Sequence, residues 1–372
     1  MNVNNEIKKI LLNCPTGAKI SYEGEEYSYF GGTSYYELHK NVEVLNAAHE
    51  AINRFGITNS SSRNIFGTTQ LHLELEKAAA EYFNCDSAVY LPSGFLTDIA
   101  ATQAFLNKKL FDVIYIDQFA HYSNQYAAKI SGKPIIEYEH LNWLDLDTKI
   151  SSSLHANQIP LIISDGIFPV FGKIAPVDKY TTVLEKYNGL LWLDDAHALG
   201  VLGSNGRGTF EHFSIDSDRC FFGGTFSKAF GGFGGIIPGK IDFINEIKND
   251  LLQNGSTPPP CAAAAASLTG LKLLKTNPSF RNNLWNNTRR LKTGIRELGI
   301  QVEKSDVPIV AWQFKNVDEM QKIQSELFKK KIIIQFINYI GTVNSSALRI
   351  VVFSSHTIEQ IDYLISELKK IL

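Results

Sequence analysis

The chain has 372 residues, 36 Lys and Arg against 38 Asp and Glu, a net charge of −2 and 44% hydrophobic residues. At about 100–200 residues per domain, that is enough for one large domain with a smaller one attached and a sizeable buried core. Acids and bases are interspersed, which excludes the concentrated basic face of a nucleic-acid or membrane-surface protein.

The first residues, Met1-Asn2-Val3-Asn4-Asn5-Glu6, form neither a basic nor an apolar leader, and no run of about 18 apolar residues follows. The expectation is a cytoplasmic protein without a membrane span. Residues 1–45 read as an N-terminal arm that joins a small domain further along, and 46–255 as a large domain. From about 71 to 237, helical patterns alternate with short apolar, β-branched runs: Ala88–Leu91, Val113–Ile116, Ile135–Tyr138, Leu161–Ser164, Leu190–Leu193, Cys220–Phe222 and Gly235–Ile237. That alternation predicts an α/β fold with a seven-stranded, mainly parallel sheet flanked by helices. Between the runs, Leu71, Leu75, Ala78, Ala79 and Tyr82 share one face of an amphipathic helix over Leu71–Phe83.

Beyond residue 255 the run Ser256-Thr257-Pro258-Pro259-Pro260 interrupts the chain, and 256–372 reads as a small α+β domain. Its expected elements are a polar helix Pro278–Leu298, a strand Ile309–Phe314, a helix Val317–Lys329, strands Ile332–Phe336 and Leu348–Phe353, and a closing helix Ile358–Ile371. Thr357 and Gln360 fit a capping box for that last helix. The four cysteines, Cys14, Cys85, Cys220 and Cys261, lie far apart without CxxC spacing, so they predict neither a zinc site nor a disulfide framework.

Two stretches carry chemistry. In Gly223-Gly224-Thr225-Phe226-Ser227-Lys228-Ala229-Phe230-Gly231-Gly232-Phe233-Gly234-Gly235, one lysine follows an apolar strand among residues small enough to let backbone and ligand approach closely. Those surroundings suit a desolvated lysine of lowered pKa, able to form a Schiff base. The order GxxxxGK[ST] of a P-loop is absent. In Leu191-Trp192-Leu193-Asp194-Asp195-Ala196-His197, a strand ends in two acids and a histidine at the edge where open α/β sheets bind ligands. An aspartate there could pair with a ring nitrogen and keep it protonated; its neighbour reads as a helix cap, and a metal site lacks a third ligand. Ser93-Gly94-Phe95 follows a strand and opens a helix, so its backbone amides can cradle an anion.

Taken with Asp165-Gly166, Gly200-Val201-Leu202-Gly203 and Gly206-Arg207-Gly208, these stretches resemble the pyridoxal-phosphate enzymes of aminotransferase fold type I, more narrowly the α-oxoamine synthase branch, from about Tyr22 to the C-terminus. The resemblance implies that Lys228 holds the cofactor, Asp194 pairs with the pyridinium nitrogen and His197 approaches the ring hydroxyl. It further implies that His121 stacks on the ring, and that Ser93, Gly94, Phe95, Thr225 and Ser227 surround the phosphate. Thr257, or Ser256, would reach the phosphate of a neighbouring subunit in a homodimer with shared active sites. Arg349 would receive the substrate carboxylate, and Arg63 would line the substrate entrance. The chain departs from the family at Thr33, where an Asn that helps hold the carboxylate is usual, and at Pro169-Val170-Phe171-Gly172, where Ser-Met-Asp-Gly is usual.

The activity implied is a decarboxylating condensation of an amino acid with an acyl-CoA to an α-amino ketone. An aminotransferase, or an aldolase or lyase acting on a β-hydroxy amino acid, would use the same Lys228 and Asp194. A non-catalytic partner subunit would lack the lysine.

Overall fold

The computed structural model describes residues 11–314, 316–339, 341, 342 and 346–372. All seven apolar runs are strands of one sheet, in the order Ser87–Leu91, Gly235–Gly239, Cys220–Thr225, Leu190–Asp194, Pro160–Asp165, Val113–Asp117 and Ile135–Tyr138. Neighbours from Cys220–Thr225 onward pair in parallel, whereas Gly235–Gly239 is antiparallel to both strands beside it. The connections explain the difference. Most of the parallel strands are joined through helices, but the short loop Phe226–Gly234 turns the chain straight back.

Successive strand residues face opposite sides of the sheet. Ile114, Ile116, Leu161, Ile163, Leu190 and Trp192 share a core with Ala100, Ala101 and Phe105 of helix Phe95–Asn107 and Ile244 of helix Ile241–Asn249. Val113, Tyr115, Ile162, Leu191 and Leu193 pack on the other side with Leu146, Ile150, Val177 and Tyr180 of helices Trp143–Ser153 and Val177–Tyr187. Burial on both faces is why these runs are continuously apolar. It also collects the C-terminal ends of the parallel strands, Asp117, Asp165, Asp194 and Thr225, along one edge, with Asp165 directly opposite Asp194.

The second part of the molecule is a three-stranded antiparallel sheet, Ile309–Trp312, Ala347–Val351 and Gln335–Ile337. Helices Ser279–Glu297, Val317–Lys329 and Ile358–Ile371 back it through Leu291, Ile295, Ile323, Leu327, Ile361 and Leu364. Thr357 and Gln360 form the expected capping box. The arm contributes a hairpin, Lys19–Tyr22 and Glu25–Tyr29, that pairs with Ile332–Ile333.

One expectation needs correction. The single strand over Ile332–Phe336 is two strands in two sheets, because Ile332, Ile333 and Ile334 are all buried and three consecutive inward residues do not fit one half-exposed strand. Helix Cys261–Thr276, just beyond the expected division at residue 255, packs on helices Val42–Phe55 and Gln70–Phe83. No helix among the described residues is long and apolar enough to cross a membrane.

Candidate active site

Four acids gather at the sheet edge, and their partners separate their roles. Asp117 accepts from the backbone amides of Phe119 at 2.8 Å and Leu141 at 2.9 Å and bonds His140 Nδ1 at 3.0 Å, which pins the loops after two strands. Asp165 accepts from the His121 amide at 3.0 Å and Asn124 Nδ2 at 2.9 Å, fixing where the His121 loop stands. Asp195 accepts from Thr209 N at 2.7 Å and Thr209 Oγ1 at 2.5 Å, and burial pushes its carboxyl up to about 7. It is the structural member of the Asp194-Asp195 pair. Asp194 Oδ1 accepts from the Ala196 amide at 2.9 Å, and Asp194 is the acid whose charge reaches Lys228, His121, Asp98 and Asp165.

Lys228 sits in the loop that returns the chain. Phe226 N donates to Gly234 O at 2.9 Å, Gly232 N to Phe226 O at 3.0 Å, and Ser227 N to Thr225 Oγ1 at 3.0 Å. Gly231 and Gly234 have positive φ, which the turn requires. Behind the loop, Ser267 of helix Cys261–Thr276 bonds both N and O of Phe233, each at 3.2 Å. Burial lowers the Lys228 amine to about 8, against the opposing pull of Asp194 and Asp165.

The Ser93-Gly94-Phe95 turn faces the same loop. A Cβ on Gly94 would stand 2.8 Å from Thr225 Cβ, so only glycine fits there, and the amide of Phe95 points back to Ser93 Oγ at 3.2 Å. The turn opens helix Phe95–Asn107, with Gly94 against Thr225. The start of a helix is a position where backbone amides can take an anion.

Two histidines and an arginine complete the group. His121 caps helix Tyr122–Ile130 through Nδ1, and burial lowers its pKa. His197 Nδ1 lies 2.8 Å from Tyr35 Oη, and burial with the charges of Lys228 and Arg349 holds it well below its ordinary value. Arg349 is buried, with Nε donating to Pro169 O at 2.8 Å and NH1 to Gln335 Oε1 at 2.5 Å and Gly32 O at 3.4 Å. The two segments in which the sequence departs from the family, Gly32-Thr33 and Pro169, therefore meet at Arg349 through their carbonyls.

The structure thus brings together Lys228, Asp194, His121, His197, Arg349, Thr225, Ser227 and the Ser93–Phe95 turn, with Thr33 half-buried at the arginine. Two residues stand apart. Arg63 is buried, with NH1 on Glu76 Oε1 at 2.5 Å and on Tyr90 O at 3.0 Å and Nε on Thr68 Oγ1 at 3.3 Å, so its guanidinium is committed to the protein interior. Thr257 is exposed beside Pro259, whose carbonyl is bonded by His72 Nε2 at 2.8 Å. Sequence reasoning passed over Tyr35, Gln335, Asp98 and Tyr339, whose ring lies 6.2 Å from His121 and 5.0 Å from Tyr122. Tyr35 and Gln335 flank elements that the motifs do not touch; Asp98 alone had a signal, a carboxylate on the apolar face of a helix.

The family model for aminotransferases of class I and II matches residues 32–368. The chain belongs to this family. Among its relatives, the 8-amino-7-oxononanoate synthase of Thermosipho melanesiensis is 30% identical over 364 residues, covering 97% of this chain and 92% of the relative. The 8-amino-7-oxononanoate synthase 1 of Bacillus subtilis is 29% identical over 363 residues, covering 96% and 91%. These relatives put the chain in the α-oxoamine synthase branch of the family. Its fold is shared with the serine palmitoyltransferase of Sphingomonas wittichii, at a TM-score of 0.88 and 23% identity over 95% of this chain and 89% of that one. It is shared too with the 8-amino-7-oxononanoate synthase of Francisella tularensis, at 0.78 and 23% over 92% and 96%.

Proposed function

We propose that this protein is a pyridoxal 5′-phosphate-dependent acyltransferase that condenses an amino acid with an acyl-CoA, with loss of carbon dioxide and CoA, to give an α-amino ketone. The observation that carries the reading is the half-buried Lys228, whose amine is lowered to about 8 by desolvation while it feels the charges of Asp194, at a strand end, and of the buried Arg349. The residues fit the cofactor: Gly94 packs closely on Thr225 at the start of a helix, where backbone amides can take a phosphate, and the Asp194 carboxylate acts on the Lys228 amine. The family relationship supports the same chemistry.

Lys228 would hold the cofactor through its amine, the Ser93–Phe95 turn with Thr225 and Ser227 would hold the phosphate, and Asp194 would pair with the ring nitrogen. Bound pyridoxal phosphate supplies an electron-withdrawing ring that spreads the negative charge left at the substrate carbon. Arg349 fixes the amino acid by its carboxylate, as a guanidinium fork does best. Lys228 would take the Cα proton on Nζ; an amine near neutrality is suited to that transfer. His121 and His197, both held neutral, orient ring and hydroxyl without adding charge.

The working unit is a homodimer. Phe66 and Leu251, 87% and 83% exposed, stand on turns that Asn64 joins to Lys248 O and Asn254, and the exposed rings of Phe95 and Tyr126 lie 6.0 Å apart beside the phosphate cradle. A second copy would cover these apolar groups. Absorbance of the cofactor-loaded protein with single amino acids and acyl-CoAs tests the reading: a spectral change that needs both substrates is expected, and complete conversion to the pyridoxamine form by amino acid alone would overturn it.

A further inference from the structure

Trp192, Asp98, Ser123 and His121 make a line of polar groups running from the sheet interior to the site. Asp98, in the first turn of helix Phe95–Asn107, is fully buried. Its Oδ1 accepts from the Trp192 indole N–H at 2.8 Å, while Oδ2 is buried without a partner in hydrogen-bond geometry among the described residues. Ser123 neighbours the same carboxyl. Its Oγ lies 2.6 Å from His121 Nδ1, and its backbone N–H donates to that nitrogen at 3.3 Å.

The direction of the chain follows from the last contact. A ring nitrogen that accepts from a backbone N–H carries no proton of its own, so the Ser123 hydroxyl donates to Nδ1 and its oxygen is left to accept. Asp98 can donate only as a carboxylic acid. The charged groups around it are Asp194 and Asp165, both acids, and the amine of Lys228; burial and Asp194 push its carboxyl upward.

We propose that Asp98 is a neutral carboxylic acid that positions His121 through Ser123: its carboxyl O–H turns to the neighbouring Ser123 Oγ, and Ser123 Oγ–H donates to His121 Nδ1. It fixes the His121 proton on Nε2 and leaves Asp194 without a competing buried charge on that side. The kinetic consequence rests on the reading of His121 as the residue beside the cofactor ring; the protonation state does not.

The test combines infrared difference spectra of the apoprotein with nitrogen NMR of labelled histidine, assigned with His121→Asn. Loss of a protonated-carboxyl band in Asp98→Asn, and a His121 Nδ1 shift of an unprotonated nitrogen in the wild type, are expected. In the holoenzyme, Asp98→Asn should keep kcat within about threefold, since one neutral donor replaces another. Asp98→Leu and Ser123→Ala should move the His121 signal and lower kcat roughly tenfold, the cost of a loosened group beside the reacting centre. A carboxylate band lost in Asp98→Asn, a protonated Nδ1 in the wild type, or equal damage from Asn and Leu would overturn the proposal. The apoprotein spectra stand even if the condensation reading fails.

Discussion

Tyr35 Oη and His197 Nδ1 lie 2.8 Å apart, both buried, and the bond ties the segment after the N-terminal hairpin to the loop that follows Asp194. Burial keeps the Tyr35 hydroxyl protonated, so it can donate to Nδ1 and leave the His197 proton on Nε2. Tyr35→Phe should lower kcat about fivefold to tenfold, the equivalent of one buried hydrogen bond of roughly 1 kcal/mol, with little change in KM. Steady-state kinetics checks this; an unchanged kcat would show that His197 is held by other contacts.

The reactive form of Lys228 is the neutral amine. With its pKa lowered from 10.5 to about 8, the rate at which the apoprotein takes up pyridoxal 5′-phosphate should rise with pH and level off above about 8. Asp194→Asn removes the largest charge that opposes the lowering, so the inflection should move to still lower pH. Stopped-flow absorbance across pH reads both; an upward shift in the variant would contradict the assignment of Asp194 as the near charge.

Arg349 is already held by Pro169 O and Gln335 Oε1, which aims its fork while leaving it charged. Arg349→Ala should raise KM for the amino acid about 10-fold to 100-fold, from the roughly 1.5–3 kcal/mol of a charged hydrogen-bonded pair. Arg349→Lys should fall between, since an ammonium lacks the planar fork. Gln335→Leu should raise KM more than it lowers kcat if the glutamine acts by aiming the arginine.

Arg63, Glu76 and Lys248 form a buried to half-buried ion network, with Arg63 at 2.5 Å and Lys248 at 3.0 Å from Glu76, which also accepts from Tyr90 N at 2.9 Å. Removing one partner of a buried pair costs about 3–5 kcal/mol. Arg63→Ala should therefore lower stability to urea by that order while leaving KM near the wild-type value. A variant of normal stability with a raised KM would restore the substrate-entrance reading.

The sheet was legible because parallel strands buried on both faces must be apolar throughout, and helix Gln70–Phe83 because its buried positions recur at helical spacing. Lys228, Asp194, His121 and Arg349, which we propose as site residues, stood out because local motifs mark them. Tyr35, Gln335 and Tyr339 were not: Tyr35 and Tyr339 meet His197 and His121 from far along the chain, and Gln335 meets Arg349 from the neighbouring strand, so no local motif marks them. Ile332–Ile334 misled for a related reason, since a run of isoleucines predicts burial but not which sheet receives each residue. Arg63 misled because a guanidinium suits an internal carboxylate as well as a substrate.

The central claim is that amino acid and acyl-CoA react together on Lys228. The direct measurement is release of free CoA thiol and of carbon dioxide from a panel of amino acids crossed with acyl-CoAs of increasing length, for the wild type and Lys228→Ala. The account predicts release of both products in equal amounts, requiring both substrates and lost in the variant. Amino-group transfer to a keto acid with no thiol released from any acyl-CoA would contradict it and make the protein an aminotransferase.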